Sequence, residues 1–477
     1  MTQTTSETGS WRALLGQHLG TSTVLAGGVA MYATNEFLTV SLLPSTIAEI
    51  GGDRLYAWVV TLYLVGSVVV ATTVNSILRR FGARSSFLLG LAVFGVASVA
   101  CAVAPTMQVL IAGRTLQGVA GGTLAGLGYA LINAALPRGL WTRGSALVSA
   151  MWGVATVVGP AMGGLFAQFG LWRWAFGAMA VLAALLAILV PAVLTASDAS
   201  PGPSTGRPLR VPVKSLLLVG AAALAVSVAQ LPHNAAAVAA LLVAGVLLVA
   251  AFVVVDRRSR ATVLPASVFG SGPLKWIYLT LAVLMMAVMV DTYVPLFGQR
   301  LGNLTPVAAG FLGATLAIGW TVSEIVSASL SNPRVIDRVV LVAPLLMASG
   351  LAFGAVTQRA DASPGRIAVW AGALLIAGTG IGMAWPHLSA RAMDSVDDPS
   401  ESGAAAAAIN TVQLISAAFG AGLAGVVVNS ATGGELMEAR WLYAVFSVLV
   451  ALGVLASYRA TRRGRRAARP PAAELRS

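Results

Sequence analysis

Long apolar stretches recur along almost the whole chain and are separated by short polar turns. A helix of about 20 apolar residues crosses the hydrocarbon core of a membrane. Charged residues make up only 10% of the 477 residues, whereas soluble domains average about 25%. A chain this apolar cannot cover itself with polar surface, so we expect an all-α polytopic membrane protein.

The apolar stretches predict fourteen spans in an arrangement of six, two and six. The first six-helix bundle is expected in 1–196, a linker with two extra helices in 197–271, and the second six-helix bundle in 272–459. A basic tail follows in 460–477. The spans are expected near 23–48, 55–79, 85–104, 107–136, 144–168, 174–196, 215–231, 234–255, 273–299, 305–331, 338–357, 366–389, 404–429 and 441–459.

The distribution of arginine predicts that both termini are cytoplasmic. Basic residues concentrate in alternate turns, for example 79–84, 138–143 and 257–260, and in the tail. Short cytoplasmic loops carry an excess of Lys and Arg. The net charge of +13 therefore reflects membrane orientation and contact with anionic lipid, and we expect no nucleic acid partner.

Several functional classes are disfavoured by what the sequence lacks. There is no G-x-x-x-x-G-K-[ST] for a nucleotide, no G-x-S-x-G, and no metal spacing among the three histidines. The single Cys101 excludes an internal disulfide and a cysteine metal cluster. We therefore expect neither an enzyme nor a metal or cofactor site. Energy for any pumping would come from an ion gradient or from a partner chain, and we expect a monomer.

The segment NSILRRFGARSS at 75–86 resembles the cytoplasmic loop signature of the major facilitator superfamily, G-x-x-x-D-R-x-G-R-R. Arg80, Gly82 and Arg84 match this signature. Arg79 stands where the family has an Asp that contacts a neighbouring helix end, so the resemblance does not extend to that contact. The alternative is a plain basic turn between two helices.

The segment LIAGRTLQGVAGG at 110–122 resembles the R-x-x-x-G pattern of the same family, with Arg114, Gln117 and Gly118 in place. Arg114 lies about seven residues into its span, which is about 10 Å at 1.5 Å per residue. An arginine at the centre of a span costs about 2.5–3.5 kcal/mol, so its side chain faces a cavity or a partner. The resemblance implies a role in proton relay; the alternative is a structural arginine bonded to carbonyls.

The segment GVATVVGPAMGG at 153–164 resembles the antiporter signature G-(x)n-G-P-x-x-G-G. Two of its glycines are four residues apart, a spacing that lets helix backbones approach closely in lipid. Gly and Pro also weaken the helix and allow bending. The resemblance implies a seam against the second half that favours exchange, and ordinary helix packing is the alternative. The matching residues are Gly153, Gly159, Pro160, Gly163 and Gly164.

These segments, with the expected spans, resemble the fourteen-spanner drug:proton antiporters of the superfamily. That branch carries D-x-x-x-x-x-x-x-L-P in its first helix, whereas NEFLTVSLLP at 35–44 has Asn35 in the acidic place and Glu36 beside it. One residue is a rotation of about 100° on a helix. We predict that Glu36 is the main proton carrier, paired with Arg114 as a titratable switch.

Two further carboxylates lie inside expected spans. Asp291 is predicted to be a second proton carrier or a contact for a cationic substrate, and Glu324 a gate that pairs with Arg334 or Arg338. A carboxyl group removed from water binds its proton more readily, whereas a neighbouring arginine favours the ionised form. A fixed internal ion pair is the alternative for each acid.

The predicted substrate surface combines apolar, aromatic and a few amide side chains. Methionine and aromatic surfaces can repack around different lipophilic compounds, although such residues also serve in cores or face lipid. Amides orient substrates or bond neighbouring helices. The candidate substrate contacts are Asn35, Gln117, Asn133, Trp152, Met285, Met289, Trp320, Trp385, Asn410 and Gln413.

The function expected from these features is proton-coupled export of amphipathic or lipophilic compounds, such as drugs, by alternating access. The preference for Arg over Lys and the abundance of Ala are typical of a GC-rich bacterial genome, so we expect a location in a bacterial plasma membrane. Export of a lipid or natural product on the same fold is one alternative. A proton-coupled nutrient symporter is another, disfavoured by the antiporter signature.

Overall fold

The computed structural model describes residues 11–71, 73–137, 140–194, 212–232, 234–259, 262–396 and 402–467. Within these ranges the chain forms sixteen α-helices, a few short 3₁₀ or π segments and no strand. The predicted all-α class is confirmed. The helices of the first half are α1 Leu19–Ile50, α2 Tyr56–Ala71, α3 Val74–Ala102, α4 Met107–Ala130, α5 Ile132–Ala135, α6 Trp141–Gln168 and α7 Trp172–Val193.

The helices of the second half start at recognisable signals. The Asn234 side chain accepts hydrogen bonds from two backbone amides at the start of α9, and Asn332 does so once for α13. Such caps satisfy amides that have no partner within the helix. These helices are α8 Val213–Val228, α9 Ala235–Arg258, α10 Leu274–Val288, α11 Val294–Arg300, α12 Pro306–Ala328, α13 Pro333–Thr357, α14 Pro364–Asp394, α15 Ser402–Ser430 and α16 Glu435–Ala467.

Among the described residues, eleven helical segments are long and apolar enough to cross a membrane. This is fewer than the fourteen expected, and the difference lies in three helices. Helix α8 has only 16 residues, and α1 and α4 carry polar side chains such as Glu36 and Arg114 in their interiors. Multiple spans are therefore supported, and the count of fourteen stays a prediction.

The cytoplasmic loop motif forms its turn at a single glycine. The sequence predicts spans at 55–79 and 85–104, but α2 ends at Ala71 and helical structure resumes at Val74. The break comes at Gly82, whose φ of 77° and ψ of 169° lie outside the helical region. Only glycine adopts this conformation without strain, which explains its place in the motif.

The described residues group into two compact units. The first holds α1 to α7 together with Thr305–Phe311 at the start of α12. The second holds α8 to α11, the remainder of α12 and α13 to α16. Inside the second unit, the two helices expected in the linker, α8 and α9, pack together. Gly245 of α9 allows this close approach, since a Cβ added there would lie 3.0 Å from Val226 of α8.

Two glycines of the antiporter signature bring α6 against α1. A Cβ added at Gly159 would lie 2.5 Å from the Cβ of Phe37, and one at Gly163 would overlap the carbonyl oxygen of Leu38. The expectation that these two glycines close a seam against the second half is therefore wrong. Their face of α6 packs on α1 within the same unit.

A third glycine of the signature meets the start of α12. A Cβ added at Gly164 would lie 2.6 Å from the Cα of Val307 and 3.0 Å from the carbonyl oxygen of Pro306. Gly164 follows Gly163 by one residue and so points about 100° away from it around the helix. Consecutive glycines therefore let α6 touch two neighbours on different faces.

Gly163→Ala and Gly153→Ala form a matched pair on α6. The first Cβ would overlap the backbone of α1, whereas the second would meet no atom within 4 Å. We expect Gly163→Ala to lower stability by about 1–3 kcal/mol through overpacking. Gly153→Ala should keep or raise stability, because Ala is the better helix former by about 1 kcal/mol. Equal melting temperatures of the two purified variants would contradict this packing.

Candidate functional site

A polar cluster lies inside the first unit, between α1, α2, α3 and α4. Polar side chains are costly in a membrane interior unless they are paired or face water, so such a cluster is a candidate for function. We call it the Arg114 cluster. Its members are Tyr32, Asn35, Glu36, Tyr63, Ser98, Cys101, Arg114 and Gln117.

Arg114 is the buried charge at the centre of the cluster, with only 1% of its surface exposed. Its guanidinium carbon lies 4.0 Å from the ring centroid of Tyr63. Its Nη1 donates a hydrogen bond of 2.9 Å to Oε1 of Gln117. A cation over an aromatic face and a charge-assisted hydrogen bond are both strong when water is excluded. Two neutral groups therefore hold this cation.

Gln117 is held by protein on several sides. Its Oε1 also lies 3.6 Å from the Cys101 thiol, and its Nε2 donates to Oγ of Ser98 at 2.8 Å. The Ser98 hydroxyl in turn donates to the carbonyl oxygen of Phe94 at 2.7 Å. Gln117 is fully buried, and its predicted contact with substrate stays a prediction. In this conformation the amide oxygen accepts the hydrogen bond from Arg114.

Glu36 is the acidic member of the cluster, and it forms no ion pair with Arg114. The two groups interact electrostatically, but among the described residues Arg114 has no carboxylate oxygen within 4 Å. The expected Glu36–Arg114 pair is therefore not formed in this conformation. The displaced motif explains this, because Asn35 is fully buried whereas Glu36, about 100° further round α1, is only half-buried.

Tyr32 and Tyr63 form the aromatic part of the cluster. Their rings are stacked with centroids 5.4 Å apart, and the Tyr63 hydroxyl donates to the carbonyl oxygen of Tyr32 at 2.8 Å. The Asn35 side chain lies beside Tyr63, and its buried amide has no hydrogen-bond partner among the described residues. Trp152, a predicted substrate contact, is half-buried. Its ring is nearly perpendicular to the Tyr32 ring, and the two ring centroids are 5.7 Å apart.

Asp291 lies where the predicted span 273–299 is interrupted. The helix stops at Val288, and a 3₁₀ segment over Met289–Tyr293 precedes α11. Pro295 has no N–H to donate to the carbonyl of Asp291, four residues earlier, which explains the break. Mid-helix 3₁₀ segments often mark functional hinges. A Cβ added at Gly313 of α12 would lie 3.3 Å from Asp291 Oδ1, so this glycine leaves room for the carboxylate.

Glu324 accepts a hydrogen bond from a tryptophan and forms no ion pair with an arginine among the described residues. Its carboxylate accepts a hydrogen bond of 2.8 Å from Nε1 of Trp320, one helical turn earlier. The ring centroids of Trp320 and Trp385 are 5.3 Å apart. The expected gate with Arg334 or Arg338 is wrong in this conformation: both arginines are exposed, and neither lies within 4 Å of Glu324.

The remaining predicted contacts differ in exposure. Met285 and Met289 are buried. A Cβ added at Gly420 of α15 would lie 2.8 Å from Met289, so Met289 packs against α15. Gln413 is half-buried and Asn410 is exposed. The Asn133 side chain lies outside the described part of the chain.

The cytoplasmic loop motif presents its arginines at the surface of the first unit. Arg80 is exposed with its guanidinium 5.6 Å from the Phe81 ring centroid, and Arg84 is half-buried. The side chain of Arg79 lies outside the described part. The described residues therefore give the two matching arginines no acidic partner within 4 Å.

Two ion pairs near helix ends have no counterpart in the sequence analysis. Glu49 at the end of α1 pairs with Arg173 at 3.2 Å and accepts from Nε1 of Trp172 at 2.5 Å. Asp337 of α13 pairs with Arg391 of α14 at 2.7 Å. Sequence spacing gives no signal for pairs so far apart in the chain.

Within the described residues, no group of three or more His, Cys, Asp or Glu is arranged to hold a metal.

Arg114→Lys tests the geometry of the cluster. A lysine keeps the charge but cannot lie flat on the Tyr63 ring while donating to Gln117. We expect a loss of about 2 kcal/mol, the scale of a hydrogen bond to a charged group, seen as a lower melting temperature of the purified protein. Arg334→Lys, at an exposed position, is the control and should leave that temperature unchanged. Equal effects of the two would show that the guanidinium shape is unimportant.

Known proteins resemble this chain in sequence and in fold. The model of the Major Facilitator Superfamily matches residues 25–421. A Mycobacterium tuberculosis protein named "probable multidrug-efflux transporter" is 73% identical over 468 residues, covering 98% of this chain and 99% of the relative. The puromycin resistance protein of Streptomyces alboniger is 28% identical over 403 residues, covering 83% and 79%.

Solved structures support the same fold. A mutant of the nucleoside transporter NupG aligns with a TM-score of 0.65 at 11% identity, covering 91% of this chain and 99% of that structure. A bacterial homologue of the lysosomal transporter Spinster aligns with a TM-score of 0.65 at 12% identity, covering 97% and 100%. The chain belongs to the Major Facilitator Superfamily and is therefore a multi-pass membrane transporter and not an enzyme.

Proposed function

We propose that this protein is a proton-coupled efflux transporter that exports amphipathic or lipophilic compounds, drugs among them, by alternating access. The observation that carries this proposal is the 73% identity, over nearly the full length of both chains, to a relative named as a multidrug-efflux transporter. Relatives named for puromycin resistance and multidrug transport extend the same pattern at lower identity. The exported compound is bound from the membrane or the cell interior and released outside.

Proton coupling is assigned to the Arg114 cluster. Glu36 is a half-buried carboxyl group beside a buried guanidinium, so the free energy of protonating it depends on where that guanidinium lies. Moving one charge across 100 mV supplies about 2.3 kcal/mol, and each 1.4 kcal/mol corresponds to about tenfold in concentration. One proton per cycle therefore sustains a substantial gradient of exported compound.

Asp291 is assigned as a second proton carrier or substrate contact. It lies at the 3₁₀ break between α10 and α11, and irregular backbone at membrane depth is tolerated where it is buried or lines a cavity. Discontinuous helices are also where transporters place their binding sites. The break therefore supports a role for Asp291 beyond packing.

The aromatic group of the second unit is assigned to substrate binding. The two indoles of Trp320 and Trp385, with the Glu324 carboxylate bonded to one of them, offer a flat apolar surface with one polar edge. Ligand sites combine such apolar surfaces with a few polar groups that fix orientation. In the first unit, Trp152 beside Tyr32 offers a second surface of this kind.

Fourteen spans and cytoplasmic termini belong to the same proposal. In chain order, helices α8 and α9 come between the two sets of helices, as expected for the drug:proton antiporter branch. Helix α9 is a 24-residue apolar helix with two arginines in its last turn. Basic residues at that end favour its cytoplasmic placement.

Glu36→Gln tests the proton role. We expect inside-out vesicles containing the wild-type protein to accumulate ethidium when a proton gradient is imposed, and to lose this activity with an uncoupler. Glu36→Gln should reduce uptake to the rate seen with the uncoupler, because the amide cannot carry a proton. Asp291→Asn should lower uptake.

The control for this experiment is Asp394→Asn, which alters an exposed carboxylate at the end of α14 and should retain full uptake. Full activity of well-expressed Glu36→Gln and Asp291→Asn would reject both assigned proton roles. Wild-type uptake that an uncoupler does not affect would reject the proton-coupled function.

Cysteine labelling tests the topology. In a Cys101→Ser background, single cysteines replace Leu231, Ser331 and Thr432, which are exposed residues between helices. An impermeant maleimide added to intact cells should label the first and third positions and spare Ser331→Cys. The cell-exterior label at Leu231→Cys requires that α8 and α9 both cross the membrane. Labelling of Ser331→Cys in intact cells would reverse the proposed orientation.

A further inference from the structure

We propose that Tyr63 and Gln117 form a neutral seat for Arg114, which holds the guanidinium off Glu36 and thereby lets Glu36 take up a proton. The neutral seat consists of the Tyr63 ring face and the Gln117 amide oxygen. This inference rests on the proposed proton role of Glu36 and deepens it by assigning Tyr63 and Gln117 as positioning residues.

The contacts of Arg114 identify the seat. The guanidinium carbon is 4.0 Å from the Tyr63 ring centroid, and Nη1 is 2.9 Å from Gln117 Oε1. In the described part of the chain no carboxylate oxygen lies within 4 Å of this cation. A buried guanidinium normally requires an anion, so a ring face and an amide take that place here.

The seat is fixed by its own neighbours. Tyr63 stacks on Tyr32 and donates its hydroxyl to the Tyr32 carbonyl, while Ser98 and Cys101 hold the Gln117 amide. A Cβ added at Gly118 would overlap the Tyr63 carbonyl oxygen, so this glycine sets the ring close to α4. Such support preorganises the seat, and Arg114, with its long flexible side chain, is the part that can move.

Among the described residues, Arg114 is the cation whose charge acts on Glu36. Tyr32, Tyr63 and Cys101 are neutral near pH 7 at their ordinary pKa values. Helix α6 brings Trp152, which does not titrate, and the start of α12 carries no charged residue. Helix α7 brings Arg173, which is paired with Glu49 at the end of α1.

Competition between the seat and Glu36 for one guanidinium follows from this arrangement. A guanidinium beside a carboxylate favours the ionised form. While Arg114 rests on the seat, that influence is weakened and Glu36 can be protonated. If the seat is removed, Arg114 moves to Glu36, which then stays ionised to lower pH.

Infrared titration of the purified protein tests this directly. The carbonyl stretching band of protonated Glu36 is identified by its loss in Glu36→Gln, and its midpoint is measured against pH. Tyr63→Leu and Gln117→Leu should each lower that midpoint by about one pH unit or more, the scale of a carboxylate gaining an arginine neighbour. Tyr63→Phe keeps the ring face and should retain a midpoint near that of the wild type.

Tyr443→Leu controls for the loss of any buried tyrosine, since Tyr443 is buried in α16 of the second unit, and it should not move the midpoint. Unchanged midpoints in Tyr63→Leu and Gln117→Leu would overturn the inference, as would an equal shift in Tyr63→Phe. If Tyr63→Leu does not fold, the Glu36 midpoint in Gln117→Leu alone tests the inference. The titration needs no transport, so a failure of ethidium efflux would reject the proposed function without deciding the seat.

Discussion

Burying the charge of Arg114 is the constraint on which the first unit depends. A cation in a span costs about 2.5–3.5 kcal/mol unless it is sheltered from lipid, and the shelter is built from glycines. A Cβ added at Gly66 would lie 2.6 Å from the Thr115 carbonyl oxygen, and one at Gly122 would lie 2.8 Å from the Cα of Ser67. Helices α2 and α4 therefore touch by their backbones, and this contact sets the Tyr63 ring over the guanidinium.

Features that depend on one helix alone could be predicted from the sequence. The burial of Arg114, the turn at Gly82 and the displacement of the acid from position 35 to Glu36 all follow from local spacing. Which helix packs on each face of a given helix could not be predicted in this way. In a membrane every face of a helix is apolar, so hydrophobic patterning does not distinguish a lipid-facing surface from one that packs on another helix. Patterning therefore does not show that Gly163 packs on α1 and not on the second half of the chain.

Hydrogen-bond partners could be predicted from the sequence only where both residues lie on one helix. The bond between Trp320 and Glu324 joins residues four apart on one helix, and such a pair can be read from spacing. By contrast, the bond from Gln117 to Ser98 joins α4 to α3 and has no counterpart in the sequence pattern. The break at Asp291 lies between these cases: Pro295 is visible in the sequence, but the apolar stretch around it reads as one continuous span.

A neutral seat also explains how the site tolerates a change of charge. In the proposed cycle the guanidinium stays charged throughout, and only the carboxyl group changes. When Glu36 is ionised the pair is neutral, and when it is protonated a net positive charge remains in a medium of low dielectric constant, where unpaired charge is costly. The negative face of the Tyr63 ring and the Gln117 oxygen offset that cost without carrying a charge of their own. An anion in their place would bind Arg114 so firmly that a proton on Glu36 could no longer change its position.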